Sequence, residues 1–281
     1  MKKILITGAN SYIGTSFETW VNQWPDQYKV NTLDLIDDIW RNKSLEGYDV
    51  VYHVAGIAHI KQTEKNRDLY YKINRDLAIE VAKKAKEDGV KQFIFLSSMS
   101  VYGIEQGVIT KDTIPSPKCH YGISKYEAEQ QMLSLVDGNY KVSILRPPMV
   151  YGKGCKGNFV RLNQLTEKIS LFPNVSNKRS MIHIDNLSEF VKIIIDKDIN
   201  GVLCPQNSDY VCTSEMIKLL CIHKGKKPIL LSRFQSIFLW LAKKNKFFSK
   251  VFGDLIYCQE LSNIGHNYQI KNLNESVMRS I

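Results

Sequence analysis

The chain has 281 residues, of which 44% are hydrophobic and 23% charged, which is enough for one large α/β domain with a substantial core and a smaller second lobe. The net charge of +10 comes from scattered basic residues without a nucleic-acid-binding motif, so we expect a phosphate-bearing small ligand and no nucleic acid. The six cysteines form no C-x-x-C pair, which predicts reduced cytoplasmic thiols and no metal site, and no apolar run is long enough for a signal peptide or a membrane span.

Short apolar runs alternate with amphipathic stretches through the first half of the chain. The predicted strands are 3–7, 28–35, 49–54, 92–97 and 141–145, and the predicted helices are 12–22, 67–88 and 121–136. This alternation predicts right-handed βαβ units on a Rossmann-like, doubly wound parallel sheet of the α/β class.

The pattern becomes more interrupted after Tyr151. We predict a loop at 152–157, a short strand at 180–184, and helices near 186–196, 213–223 and 234–249. The expected organisation is a first domain at 1–151, against which 180–200 packs back, and a smaller α/β lobe at 152–281 on the C-terminal side.

The first strand leads into a glycine turn, ITGANSYIG, that is typical of a loop holding a dinucleotide pyrophosphate at a helix N-terminus. The candidate cofactor-binding residues are Gly8, Asn10, Ser11, Tyr12, Ile13 and Gly14. The middle glycine of the usual pattern is replaced by Ser11. Because serine tolerates a positive φ less easily than glycine, the loop either avoids that conformation at Ser11 or is slightly strained there.

Asp34 lies near the end of the second predicted strand, 20 residues after Gly14. Its carboxylate can accept hydrogen bonds from a ribose diol and would repel a 2′-phosphate, which favours NAD over NADP. The alternative is that Asp34 is an ordinary turn residue in the acidic run with Asp37 and Asp38.

A tyrosine–lysine pair and a pair of serines suggest acid–base chemistry. Tyr121 and Lys125 are four residues apart and share one helical face, where a lysine ammonium would lower the pKa of the phenol and make it a base. Ser98 and Ser100 follow the end of a buried strand, where open parallel sheets bind their ligands. The alternatives are a surface helix and a serine-rich turn.

Taken in order, these motifs resemble the extended short-chain dehydrogenase/reductase family, the NAD-dependent nucleotide-sugar epimerase/dehydratase group. The resemblance covers residues 3 to about 210, and its further matches are His53–His59 (HVAGIAH), Asn74, Pro117, Leu145–Gly152 (LRPPMVYG) and Arg179–Asp185 (RSMIHID). It implies a first domain that binds NAD and a second that binds a nucleoside-diphosphate sugar.

The resemblance also implies residue roles. Tyr121 would be the catalytic acid/base, Lys125 its pKa partner and a contact to the nicotinamide ribose, and Ser98 the hydroxyl partner. Ala55 and Gly56 would lie beside the cofactor. The implied substrate contacts are Ser100, Asn158 and Arg179, the last two toward the diphosphate. We expect a homodimer.

Two departures from the family pattern bear on the reaction. Dehydratases of this family carry an Asp-Glu pair after the hydroxyl residue, where this chain has Met99 and Ser100, so we reject 4,6-dehydration. Asp34 and Asp49 are only 15 positions apart, too close for the usual helix and strand, which resembles the 4-keto-sugar reductases. Asp34 favours the epimerases, which retain NAD.

We therefore predict C4 epimerisation of a UDP-hexose or UDP-N-acetylhexosamine in surface polysaccharide biosynthesis. The alternative is a 4-keto-6-deoxy nucleotide-sugar reductase that uses NAD(P)H, and a third is a non-catalytic NAD(P)-binding regulator.

Residues 234–255 combine apolar residues at helical spacing with Lys243, Lys244, Lys246 and Lys250. They are compatible with a basic amphipathic helix weakly associated with a membrane surface, or with a lobe helix packed on the core or on a dimer partner.

Overall fold

The computed structural model describes residues 1–58, 60, 63–168, 171–231 and 252–281. The described chain divides into two compact units. The first contains 1–103, 114–147 and 188–205, and the second contains 104–113, 148–187 and 206–281. Most of the predicted 234–255 segment, like His59, lies outside the described residues.

The first unit is built on one parallel six-stranded sheet. Its strands are β1 (Lys2–Thr7), β2 (Tyr28–Leu33), β3 (Val50–His53), β4 (Gln92–Leu96), β6 (Lys141–Leu145) and β10 (Gly201–Leu203). Their spatial order is β2-β1-β3-β4-β6-β10, with Thr7 paired to His53 and Leu96 paired to Leu145. The predicted Rossmann-like doubly wound sheet is therefore confirmed, and β10 is a strand that its short sequence did not reveal.

The helices of the first unit follow the predicted alternation with one departure. They are α1 (Tyr12–Val21), α2 (Arg67–Tyr70), α3 (Ala78–Glu87), α4 (His120–Leu133) and most of α6 (Ile184–Lys197). The predicted continuous helix at 67–88 is interrupted by a π-helical segment, Tyr71–Leu77. That segment contains the buried Asn74, whose amide forms hydrogen bonds with the backbone of Ile57 instead of facing solvent.

The helices α3 and α4 bury one face of the sheet. Their small residues Ala78, Ala82, Ala85 and Ala128 pack with Phe93 and Phe95 of β4 in a fully buried apolar cluster. In α6, the carbonyl of Ile194 accepts a 3.4 Å hydrogen bond from Gln92 Nε2, at the amino end of β4. The last turn of α6 is thus hydrogen-bonded to the sheet.

The segment between β2 and β3 is short, as its sequence indicates. A 3₁₀ helix at Asp38–Asn42 occupies it, in place of a helix and a further strand. Because no strand pairs beyond β2 in the described chain, β2 forms one edge of the sheet.

In its described residues, the second unit contains three small two-stranded parallel sheets and three helices besides the start of α6. The sheets are β5 (Gly107–Ile109) with β12 (Leu255–Tyr257), β7 (Met149–Tyr151) with β9 (Met181–His183), and β8 (Leu171–Pro173) with β11 (Ile229–Leu231). Its helices are α5 (Asn158–Lys168), α7 (Thr213–His223) and α8 (Leu273–Arg279). Throughout the described ranges, we find no helix with the length and apolar character needed to cross a membrane.

Candidate active site

The glycine turn after β1 has a left-handed backbone at two positions. Gly8 has a φ of 105°, and a Cβ there would lie 2.7 Å from the backbone nitrogen of Ala55. The other left-handed residue is Asn10, with a φ of 61°, a conformation that asparagine tolerates. Ser11 has a φ of −72°. The loop therefore avoids the strained conformation at Ser11, and no middle glycine is required.

Ser11 has a structural role at the start of α1. It is the N-cap residue, and its hydroxyl oxygen accepts a 3.2 Å hydrogen bond from Gly14 N. Tyr12, Ile13 and Gly14 form the first turn of the helix, whose N–H groups and positive dipole end favour an anion such as a pyrophosphate. The start of α1 thus offers donors of the kind that a pyrophosphate needs, and the assignment of this loop to the dinucleotide stays a prediction.

Asp34 lies one residue beyond the end of β2 and is exposed. Its Oδ1 accepts a 2.9 Å hydrogen bond from Ile36 N, so the turn role considered from the sequence is present. Among the described residues, Oδ2 makes no hydrogen bond, and it is available to a ligand. Asp37 caps the following 3₁₀ helix, and Asp38 pairs with Arg41.

The loop after β3 carries Ala55 and Gly56. Ala55 N donates to the carbonyl of Thr7, which places this loop beside the glycine turn. Asn74 holds the loop from the other side: its Oδ1 accepts from Ile57 N at 2.9 Å, and its Nδ2 donates to Ile57 O at 3.0 Å. Gly56 lies against the Asn74 amide and the Lys125 ammonium, so this predicted cofactor segment borders the predicted catalytic lysine.

The Ser98 side chain lies beside the Tyr121 phenol and favours its ionised form. Ser98 begins a 3₁₀ helix, Met99–Tyr102, just after β4 ends, and Tyr121 lies in the first turn of α4. The two elements approach closely at Gly122, where a Cβ would lie 2.7 Å from Ser100 O. Ser100 is exposed next to this pair, with its hydroxyl 3.2 Å from that of Ser98.

Lys125 is buried one turn after Tyr121. Its Nζ donates a 2.8 Å hydrogen bond to the carbonyl of Leu96 and lies 4.5 Å from the ring centroid of Phe95. Burial lowers the pKa of Lys125 to about 7, and the negative charge of Glu129 opposes part of this effect.

The pKa of Tyr121 differs from the sequence-based expectation. Burial raises the pKa of Tyr121 to about 12, although the neighbouring Ser98 side chain acts in the opposite direction. We predicted that Lys125 would lower this pKa, and in the chain alone it does not. The physical reason is that Lys125 directs its ammonium toward the end of β4, where it is itself desolvated.

The predicted substrate contacts Asn158 and Arg179 belong to the second unit. Asn158 is the exposed first residue of α5. Arg179 pairs as an isolated bridge with Val211 and Leu255, and its Nη1 donates to Gly253 O at 2.9 Å. Sequence reasoning missed the buried Glu129, which no local pattern marks.

Comparison with known proteins identifies what this arrangement is similar to. A family model described as the NAD dependent epimerase/dehydratase family matches residues 4–203. A UDP-glucose 4-epimerase of Vibrio cholerae is 33% identical over 281 aligned residues, covering 90% of this chain and 83% of that protein.

Two further matches have lower identity. The N-acetyl-alpha-D-glucosaminyl-diphospho-ditrans,octacis-undecaprenol 4-epimerase of Escherichia coli O157:H7 is 26% identical, covering 67% of this chain and 62% of that protein. The crystal structure of a dTDP-4-dehydrorhamnose reductase from Bacillus anthracis, in complex with NADP, is 22% identical with a TM-score of 0.75, and the match covers 100% of this chain and 99% of that one. At that identity the likeness is one of fold.

The capping role of Ser11 predicts an unusual order of stabilities. Ser11→Ala removes the hydroxyl that accepts from Gly14 N and should lower the free energy of unfolding by about 1 kcal/mol, whereas Ser11→Gly should cost only a few tenths. Urea unfolding without added nucleotide measures both. Equal losses in the two variants would contradict the capping role.

The buried ammonium of Lys125 predicts a pH dependence of stability. Its pKa is about 7 in the folded chain and ordinary in the unfolded chain, so the unfolded chain binds more protons above pH 7. The free energy of unfolding therefore rises with pH through this group. Between pH 7 and 9 we expect the wild type to gain about 2 kcal/mol more than Lys125→Met.

Urea unfolding at several pH values measures this difference. Lys91→Met is the matched control, because the side chain of Lys91 is 79% exposed and should not share the effect. Parallel stability curves for the wild type and Lys125→Met would show that the ammonium titrates normally.

Proposed function

Because this chain belongs to the NAD-dependent epimerase/dehydratase family, we propose that it inverts C4 of a UDP-hexose or UDP-N-acetylhexosamine with NAD as its cofactor. One observation carries the proposal: the phenol of Tyr121, in the first turn of α4, has the Ser98 side chain beside it just after β4, and the buried Lys125 follows one helical turn later. The 4-epimerase relatives support the choice of reaction.

The cofactor would be held by three elements of the first unit. The N–H groups at the start of α1 would bind the pyrophosphate, the free Oδ2 of Asp34 would accept from the adenosine ribose, and Lys125 would bind the nicotinamide ribose. When bound, oxidised NAD supplies reversible oxidation at C4 and a positive charge that favours the phenolate of Tyr121.

The side chains divide the proton chemistry among them. Tyr121 takes the proton of the C4 hydroxyl as the sugar becomes a 4-keto sugar, and returns a proton to the same oxygen once the configuration is inverted. Ser98, whose side chain lies beside the Tyr121 phenol, would hold that oxygen in reach. Because substrate and product have the same oxidation state, no reductant is consumed. Asn158 and Arg179 would bind the diphosphate of the substrate.

The second candidate is reduction of a 4-keto-6-deoxy nucleotide sugar. The short 34–49 segment favours it, since a 3₁₀ helix stands where a helix and a strand would otherwise extend the adenosine side. A 4,6-dehydratase is disfavoured, because Met99 and Ser100 provide no carboxylate beside Ser98. A non-catalytic regulator is disfavoured by the intact Tyr121–Lys125 pair.

The reaction is tested by incubating the enzyme with UDP-glucose or UDP-N-acetylglucosamine and no reductant. We expect the C4 epimer, resolved by chromatography, and a loss of about a thousandfold in kcat for Tyr121→Phe, because the variant lacks the hydroxyl that would exchange the proton with the C4 oxygen. Tyr126→Phe makes the same chemical change on the same helix and should leave the rate unchanged. Product that forms only from a 4-keto sugar with NAD(P)H would establish the reductase instead.

The cofactor choice is tested at Asp34. The wild type should bind NAD at least tenfold more tightly than NADP, because the carboxylate repels a 2′-phosphate, and Asp34→Ser should narrow this ratio. The control is Asp26→Asn, which removes an exposed carboxylate near the amino end of the same strand. Calorimetric titration measures both constants, and an unchanged ratio in Asp34→Ser would remove this residue from cofactor selection.

A further inference from the structure

Behind the candidate site lies an ion pair that is almost completely removed from solvent. Glu129 of α4 is fully buried, and the side chain of Arg146, the residue after β6, is 6% exposed. Arg146 Nη2 donates to Glu129 Oε2 at 2.6 Å, and Arg146 Nε lies 3.2 and 3.1 Å from the two carboxylate oxygens. Desolvating two charges is costly, and such an ion pair is a weak source of stability. The groups that contact the ion pair indicate a further role.

The pair is joined to the segment that carries Ser98. The hydroxyl of Ser97 donates to Glu129, and Arg146 Nη1 donates to Tyr102 Oη at 3.0 Å. Ser97 precedes Ser98, and Tyr102 ends the 3₁₀ helix that Ser98 begins. The ion pair therefore contacts both ends of the segment 97–102.

The pair is also joined to the helix that carries Tyr121. Tyr121, Lys125 and Glu129 follow one another at intervals of four, so they share one face of α4. Around Lys125, the other described groups are the Leu96 carbonyl, the Phe95 ring, the neutral buried His53, and the amide of Asn74 against Gly56. Glu129 supplies the negative charge among these neighbours.

We propose that Glu129 and Arg146 are positioning residues of the candidate active site, which lock α4 to the 97–102 segment and keep a fixed negative charge one turn from Lys125. The inference rests on the roles proposed for Tyr121, Ser98 and Lys125, and it does not depend on which sugar is the substrate. A merely structural pair would change stability and nothing else.

The charge is tested by the double variant Glu129→Gln/Arg146→Met, which removes both charges at similar volume and leaves neither partner unpaired. We expect it to fold and to lower the titration midpoint of Lys125 by about one pH unit, because the carboxylate favours the ammonium. At pH 7 the charged fraction of Lys125 then falls about fivefold. The midpoint is read from the ¹³Cε resonance of labelled lysine, assigned with Lys125→Met.

The mechanical link is tested separately by Ser97→Ala, which cuts the hydrogen bond to Glu129 and keeps both charges. We expect kcat to fall about tenfold with little change in KM, and the Lys125 midpoint to stay in place. Because this is a small substitution, it gives a result even if the double variant fails to fold. An unchanged kcat would contradict the positioning role.

Gln92→Leu is the matched control for general destabilisation. Gln92 is buried at the amino end of β4, and its side chain donates to Ser143 Oγ of β6, so the variant disturbs the same two strands away from Lys125. It should lower the melting temperature without moving the midpoint. A midpoint that is the same in the wild type and the double variant would overturn the charge role. Absence of turnover in the wild type would contradict the proposed function, and the Lys125 midpoint would still decide this inference.

Discussion

Burial of the Lys125 ammonium is the constraint on which the rest of the site depends. A cation removed from water is stable only when protein groups replace the solvent. Lys125 Nζ lies 2.8 Å from the Leu96 carbonyl oxygen and 4.5 Å from the ring centroid of Phe95. Both belong to the end of β4, so they fix the position of α4 along that strand. Tyr121, one turn earlier, is thereby brought to Ser98 just beyond the strand. The contacts that stabilise the buried Lys125 ammonium therefore also bring Tyr121 and Ser98 together.

The predicted cofactor loop also combines two requirements in a few residues. It has a left-handed conformation at two positions, Gly8 and Asn10. Ser11 is then free to cap α1, a role for which serine is better suited than glycine. The sequence pattern alone suggests that a glycine is missing at Ser11. The backbone angles show that Ser11 has a negative φ, so no glycine is needed there. The close approach of Gly8 to Ala55 further joins this loop to the one after β3.

Local sequence patterns were sufficient to predict the parallel sheet. The features that they did not predict depend on contacts between residues far apart in the sequence. The alternation of strands and helices is sufficient for the parallel sheet, and the spacing of Tyr121 and Lys125 for one helical face. The local spacing did not predict the π segment, which contains Asn74, whose amide is hydrogen-bonded to Ile57, 17 positions away. Likewise, Glu129 and Arg146 belong to different parts of the fold, and no local sequence pattern predicts that they form an ion pair. The described strands of the second unit are only three residues long. One of them, β9, falls within the strand predicted at 180–184, and the others are too short for periodicity to identify.

The two pKa shifts show where the control of proton transfer lies. In the chain alone, Tyr121 has a pKa of about 12 and remains protonated at neutral pH, while Lys125, with a pKa of about 7, carries only part of its charge. The phenol becomes a base only when a further positive charge enters its neighbourhood, and it favours giving the proton back when that charge is lost. In the proposed mechanism this links proton transfer to the oxidation state of the dinucleotide, in an epimerase and in a reductase alike. An epimerase must also hold the 4-keto sugar while it turns over and must keep its dinucleotide. We propose that the adenosine side of the first unit, at residues 34–49, decides whether the dinucleotide is kept.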